Sequence, residues 1–241
     1  MFGGAEEKND NVKYDYEANN SEQGSINNKS SNDSENEVVG LNVSTTVLLV
    51  WRIIGFVVVF AIWAIGFYQF GVSNFESTIK YLTYWAIVFT FSYSLAAAIV
   101  QPEKTGKIKV LSIIFTSTFS TNLVVTLIYW VALWPTEEFD NDFDKLMGIL
   151  RHVLPILVTI VDFIINRYKV YPIHNLILNS IIFILYCIVN IAFTFGQDEK
   201  VYGIIDWVSL ESYLYMLGAL IILGLAVVIV WGFTKLKIKK D

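Results

Sequence analysis

Residues 46–69 read TVLLVWRIIGFVVVFAIWAIGFYQ, and this stretch, with Arg52 as its one charge, decides the fold class. A bilayer core of about 30 Å takes roughly 20 apolar residues as a helix, because backbone amides left unpaired in hydrocarbon are too costly to keep. Five more stretches of this kind follow, near 81–100, 109–133, 146–166, 174–195 and 211–234. The expected fold is all-α: a polytopic transmembrane helical bundle of about six spans, with its membrane domain over residues 43–235. No pair of spans is convincingly similar to another, so the internal repeats common in transporters are not visible.

Composition agrees. The 241 residues are 55% hydrophobic and 16% charged, against roughly 25% charged in soluble domains, so too little polar surface exists to cover a water-exposed globule. The net charge of −5 is concentrated in the N-terminal tail, where nine Asp and Glu face three Lys. What remains carries no basic patch, which excludes nucleic acid as a partner and leaves membrane lipids. Residues 1–42 are rich in Asn, Ser, Glu and Gly and cannot bury enough apolar area to offset their ordering entropy. They are expected to form a disordered acidic tail, and they lack the pattern of a signal peptide. The first span is then expected to double as the signal anchor. Cys187 is the one cysteine, set in an apolar run, so no intrachain disulfide is possible.

Orientation follows from the basic residues, which stay cytosolic beside a span. Twelve lie on the tail's side: three in the tail, Lys104, Lys107 and Lys109, Arg167 and Lys169, and four from Lys235 onward. Only Lys80, Lys145 and Lys200 lie on the other side, whose loops are acidic, as at Glu137-Glu138-Phe139-Asp140. Both termini are therefore expected in the cytosol, the C-terminal one as a short basic tail over 236–241. The tail's Asn-x-Ser sequons, Asn32-Asp33-Ser34 among them, then escape glycosylation.

Ionisable groups inside spans cost about 2.5–3.5 kcal/mol each at a helix centre, and are functional hypotheses by default. Here they are Arg52, Arg151, His152 and Asp162. Arg52 and Asp162 both fall in the cytosolic third of the membrane and are expected to pair across helices. His152 falls within about two turns of the opposite face, in one layer with Thr83 at the start of the second span. Thr83, Thr90, Ser94 and Ala97 recur at helical spacing as a small-polar stripe of the kind that faces other helices. A neutral histidine at hydrogen-bond distance can activate a threonine hydroxyl as a nucleophile. The plainer readings are a packing histidine and a threonine bonded to the carbonyl one turn earlier. Asp162 is about 15 Å along the helix from His152 and cannot complete a triad. Tyr129, Asn190 and Tyr213 are candidates to orient the imidazole. No metal-ligand cluster, Gly-x-Ser-x-Gly elbow or phosphate-binding glycine loop is present, so no cofactor is implied. The polar run Thr116–Asn122 in the third span is the one candidate path for a transporter, and reads more simply as helix packing.

The segment Phe75-Glu76-Ser77-Thr78-Ile79-Lys80-Tyr81-Leu82-Thr83-Tyr84-Trp85 resembles a conserved segment of the androgen-induced and androgen-dependent membrane hydrolases and their rolling stone relatives. His152 followed by Asp162 is similar to that family's histidine with a downstream acid. Tyr129-Trp130, Tyr171-Pro172, Val201-Tyr202-Gly203 and Asp206-Trp207 look like further landmarks in the same order. The resemblance covers about residues 75–235. It implies an intramembrane threonine hydrolase of lipid esters, namely fatty acid esters of hydroxy fatty acids, with Thr83 as nucleophile and His152 as base. Two features differ: the downstream acid is Asp rather than Glu, and Tyr84-Trp85 looks more like the rolling stone branch, whose members are linked to cell fusion. That branch gives the alternative of a non-catalytic membrane organiser, with a small transporter as the third reading.

The chain ends Lys235-Leu236-Lys237-Ile238-Lys239-Lys240-Asp241, which resembles a dilysine retrieval signal to the endoplasmic reticulum. The alternative is that these lysines only anchor the last span at an anionic cytosolic leaflet, at about 1 kcal/mol each, with the plasma membrane as destination. A Lys237→Ser, Lys239→Ser double variant separates them by microscopy: escape to the cell surface is expected from retrieval, whereas an unchanged distribution leaves only the anchor.

Overall fold

The computed structural model describes residues 44–70, 75–100, 105–166, 168–196 and 200–238. The expected tail over 1–42, with its sequons, and the lysines at 239 and 240 lie outside the described residues. Among the described residues seven α-helices are formed: α1 Thr45–Phe70, α2 Phe75–Lys80, α3 Leu82–Ile99, α4 Thr105–Ile128, α5 Asp142–Ile165, α6 Pro172–Gly196 and α7 Leu210–Ile238. All but α2 are long and apolar enough to cross a membrane, and their limits fall within a few residues of the expected spans. The six-residue α2 is unforeseen, because its sequence is too short and too polar to show a period. The basic stretch at the C-terminus also continues α7 as far as Ile238 rather than leaving it at once.

Helix ends follow local chemistry. At the start of α5 the Asn141 side chain accepts the Asp144 amide at 3.0 Å, and Asp142 and Asp144 lie in the first turn, where the helix dipole favours negative charge. Pro172 opens α6, a position where its missing N–H costs nothing. Beyond α4 the chain winds through a π turn, Tyr129–Leu133, and a 3₁₀ turn, Trp134–Thr136. Pro135 has no amide to offer Val131, so a regular α-helix cannot continue there.

The bundle is arranged around α4, which packs on α3, α5, α6 and α7. Of its most apolar stretch 67% is buried inside the protein, against 17% for α1 and for α6. Its polar run is accordingly a packing surface. Thr116, Ser120 and Thr121 each donate back to a carbonyl one turn earlier, at 2.8–3.0 Å, and all three are buried. The outward faces of α1 and α6 expose Ile53, Ile54, Val57, Ile177, Ile181 and Ile188, a surface that only lipid can cover.

The expected pair of Arg52 and Asp162 is present, with Arg52 Nε 3.3 Å from Asp162 Oδ1. Close approach makes it possible. A Cβ on Gly55 would fall 2.8 Å from Val158 Cγ1, so α1 lies flush on α5 one turn away from the pair. The pair is also more than a pair. Asp162 Oδ2 accepts from Tyr93 at 2.5 Å and from Asn166 at 2.6 Å, while Arg52 donates to the Ala97 carbonyl at 2.9 Å and to the Tyr168 hydroxyl at 2.7 Å. An apolar cluster that includes Phe115, Phe119 and Ile156 packs beside it.

Because these donors answer one carboxylate, their removals are expected to be non-additive. Asp162→Ala should cost about 3–5 kcal/mol of stability by stranding Arg52, and Tyr93→Phe alone about 1–3 kcal/mol. The double variant should unfold near the temperature of Asp162→Ala alone in detergent melts. Simple addition of the two losses would contradict a shared network.

Candidate functional site

At the end of the bundle opposite this network, α3 begins abruptly. Tyr81 is extended, with φ −98° and ψ 125°, and Leu82 starts the helix without a side-chain cap. The Leu82 amide instead donates to the Tyr202 hydroxyl at 3.0 Å. Thr83 follows in the first helical turn and is buried. The carbonyl one turn before it, of Ile79, accepts the Trp85 indole N–H at 2.7 Å. Thr83 lies instead within hydrogen-bond reach of Tyr202. Thr90 and Ser94, lower on the same stripe, do bond back, to Ala86 and Thr90.

Tyr202 belongs to the α6–α7 connection, whose shape is set by several local bonds. The Ile205 amide closes a turn on the Tyr202 carbonyl at 2.9 Å. Asp206 accepts the amides of Ser209 and Val208 at 2.9 and 3.0 Å, which hold its carboxyl down at about 2. Trp207 adopts φ 59°, a left-handed conformation that costs a non-glycine residue about 1–3 kcal/mol unless its surroundings enforce it. They do. Its indole donates to Asn190 at 2.6 Å, its amide to Ser212 at 3.1 Å, and its carbonyl accepts from Tyr213 at 2.9 Å.

On α5, Pro155 removes one rung of the helical ladder, and α4 supplies donors around the gap. Thr126 donates to the His152 carbonyl at 2.8 Å, and Asn122 lies 3.5 Å from the Pro155 carbonyl. The backbone at His152 is thus clamped to α4. Its imidazole stacks flat on the Tyr129 ring, with centroids 3.5 Å apart and planes 7° from parallel. Gly148, one turn earlier, makes room for this stack: a Cβ there would lie 2.9 Å from the Tyr129 hydroxyl. His152 is 8% exposed, and its Nδ1 is buried without a hydrogen-bond partner. Arg151 donates to Gln69, with its guanidinium 5.9 Å from the centre of the Tyr84 ring. Gln69 in turn donates to Asp144 at 3.2 Å.

These elements enclose a cavity of about 320 Å³, lined by Thr83, Tyr84, Tyr129, Arg151, His152 and Tyr202 among others. An apolar chamber of about 50 Å³ adjoins it, walled by Val125, Phe183, Ile205 and Met216. Thr83, His152 and Tyr202 line both, so they stand where the polar space meets the apolar one. By the charge count this is the non-cytosolic end of the bundle. The comparisons add no kinship. No protein-family model, curated protein or solved structure matches the chain.

Thr83 and His152 are therefore brought to one cavity, and no hydrogen bond joins them. Of the three candidates to orient His152, Tyr129 is in contact as a stacking partner. Asn190 and Tyr213 are committed to the Trp207 turn. Asp162 belongs to the Arg52 network, as its distance along α5 required. Among the described residues no cluster of His, Cys, Asp or Glu gathers with the makings of a metal site. Sequence reasoning marked Tyr202 only as a landmark and missed its contact with the start of α3, which depends on how a loop folds back.

Proposed function

We propose that this chain is a membrane-embedded hydrolase of lipid esters, with Thr83 as the nucleophile and His152 as its base. One observation carries the reading: the side chains of Thr83 and His152 line the same cavity, at the junction of a polar and an apolar chamber. An ester matches that division, with its carbonyl beside Thr83 in the polar space and only the first part of its acyl chain at the apolar chamber, whose volume of about 50 Å³ takes no more.

In the reaction, Thr83 Oγ attacks the ester carbonyl carbon while its proton passes to His152. The tetrahedral intermediate collapses by breaking the bond to the alcohol oxygen, and the alcohol leaves with the proton from His152. Water then gives a proton to His152 and attacks the acyl-threonine, releasing the fatty acid and returning the proton to Thr83. The reading requires the Thr83 hydroxyl to turn to His152 in the substrate complex, where catalytic hydrogen bonds commonly tighten. The C-terminal lysines extend the reading to an endoplasmic reticulum address, where such esters are within lateral reach.

Thr83→Ala and His152→Ala are each expected to abolish hydrolysis of a long-chain hydroxy-fatty-acid ester by reconstituted protein. Since the two groups act as a unit, the double variant should be no worse than either single one. Full activity in either single variant overturns the assignment.

A further inference from the structure

We infer that Tyr202 supplies the oxyanion donor for this site, an inference that rests on the reading of Thr83 as nucleophile. Its hydroxyl accepts the amide of Leu82, the residue before Thr83, and does not belong to the acid–base exchange. It lines both chambers together with Thr83 and His152. The oxygen accepts the Leu82 amide, the first N–H of α3, at 3.0 Å, and has Thr83 and Tyr186 within hydrogen-bond reach.

The proton inventory then sets the direction of each bond. Tyr186 donates its own hydroxyl proton to the Lys80 carbonyl at 3.3 Å and accepts from Asn190 at 3.0 Å. The Leu82 amide fills one lone pair of the Tyr202 oxygen. The Thr83 hydroxyl, placed as a donor, takes the other, which leaves the Tyr202 proton free for an acceptor in the cavity. Burial raises the Tyr202 phenol above its ordinary range, so it keeps that proton at physiological pH. An N–H donating into a hydroxyl polarises the hydroxyl's own proton and strengthens the bond it makes next.

When Thr83 Oγ bonds to the carbonyl carbon, the carbonyl π electrons move to oxygen and the new charge forms one bond away from Thr83. The Tyr202 proton is donated to that oxygen as a hydrogen bond without being transferred. Collapse returns the electron pair to the carbonyl, and the hydrogen bond from Tyr202 is released. Tyr202 is held for this task. Its ring packs edge-on against Tyr81 with centroids 5.6 Å apart, and the turn that carries it is fixed by Asp206 and the strained Trp207.

Removing one oxyanion donor typically costs about 10²–10³-fold in kcat. Tyr202→Phe keeps the ring and its packing but leaves the Leu82 amide without its acceptor, so kcat should fall by that factor with KM nearly unchanged, in a protein that melts somewhat lower and is still folded at the assay temperature. Wild-type kcat in Tyr202→Phe, with Thr83→Ala inactive, overturns the role of Tyr202 and leaves the nucleophile standing. An active Thr83→Ala overturns both. Should Tyr202→Phe fail to fold, 3,5-difluorotyrosine at position 202 preserves shape and hydroxyl while making the phenol more acidic. The alkaline limb of kcat should then move to lower pH, because the donor proton is lost earlier, and an unmoved limb contradicts the inference.

Discussion

A carboxylate placed inside a bilayer has to be met by donors, and the architecture of this protein is arranged around the one at Asp162. Arg52 reaches it from α1, Tyr93 from α3 and Asn166 from the end of α5 itself. Arg52 then ties in the Ala97 carbonyl and Tyr168, so three spans and one connection are fixed at a single point. The contact also depends on the absence of a side chain at Gly55, which lets α1 settle on α5. A buried ion pair as such is a doubtful source of stability, because desolvation offsets much of the attraction. Its effect here is to fix register: with each oxygen of Asp162 satisfied, sliding α1 or α3 by a turn would strand a charge.

The opposite end of the bundle is built on different terms. There the backbone is well clamped, at His152 by Thr126 and at the α6–α7 turn by Ser212 and Tyr213, while Nδ1 of the His152 imidazole is buried without a hydrogen-bond partner. A protein selected for stability alone would fill or pair such a group, since a buried polar atom without a partner costs about 1–3 kcal/mol. A densely hydrogen-bonded network at one end of the bundle and a polar cavity at the other divide the protein into two differently built halves. The π turn that places Tyr129 against His152 belongs to the same pattern, as such turns recur at functional sites.

The spans, the all-helical class and the Arg52–Asp162 contact were legible in the sequence because each rests on a one-dimensional quantity: apolar run length, or depth counted along a helix. The same depth argument brought Thr83 and His152 to one layer, and excluded Asp162 from that layer. What the sequence did not disclose depends on folding back through space. Tyr202 meets Leu82 only because the turn after α6 is bent by Asp206 and Trp207, and no periodicity reports such a bend. Asn190 looked as suitable a partner for His152 as Tyr129 did. The difference lies in which face of α6 meets the loop. Likewise, Pro135 marked a helix end, but not that α4 would reach it through a π turn.

The central claim is that Thr83 is an activated hydroxyl in a lipid-accessible cavity, and covalent capture tests it most directly. A long-chain fluorophosphonate, which loses fluoride when an activated oxygen attacks phosphorus, would be added to the folded protein in vesicles and the adduct located by peptide mass spectrometry. The account predicts one adduct, on Thr83, absent when His152 is replaced by alanine. An adduct on a different residue, or none on protein that remains folded, would contradict it.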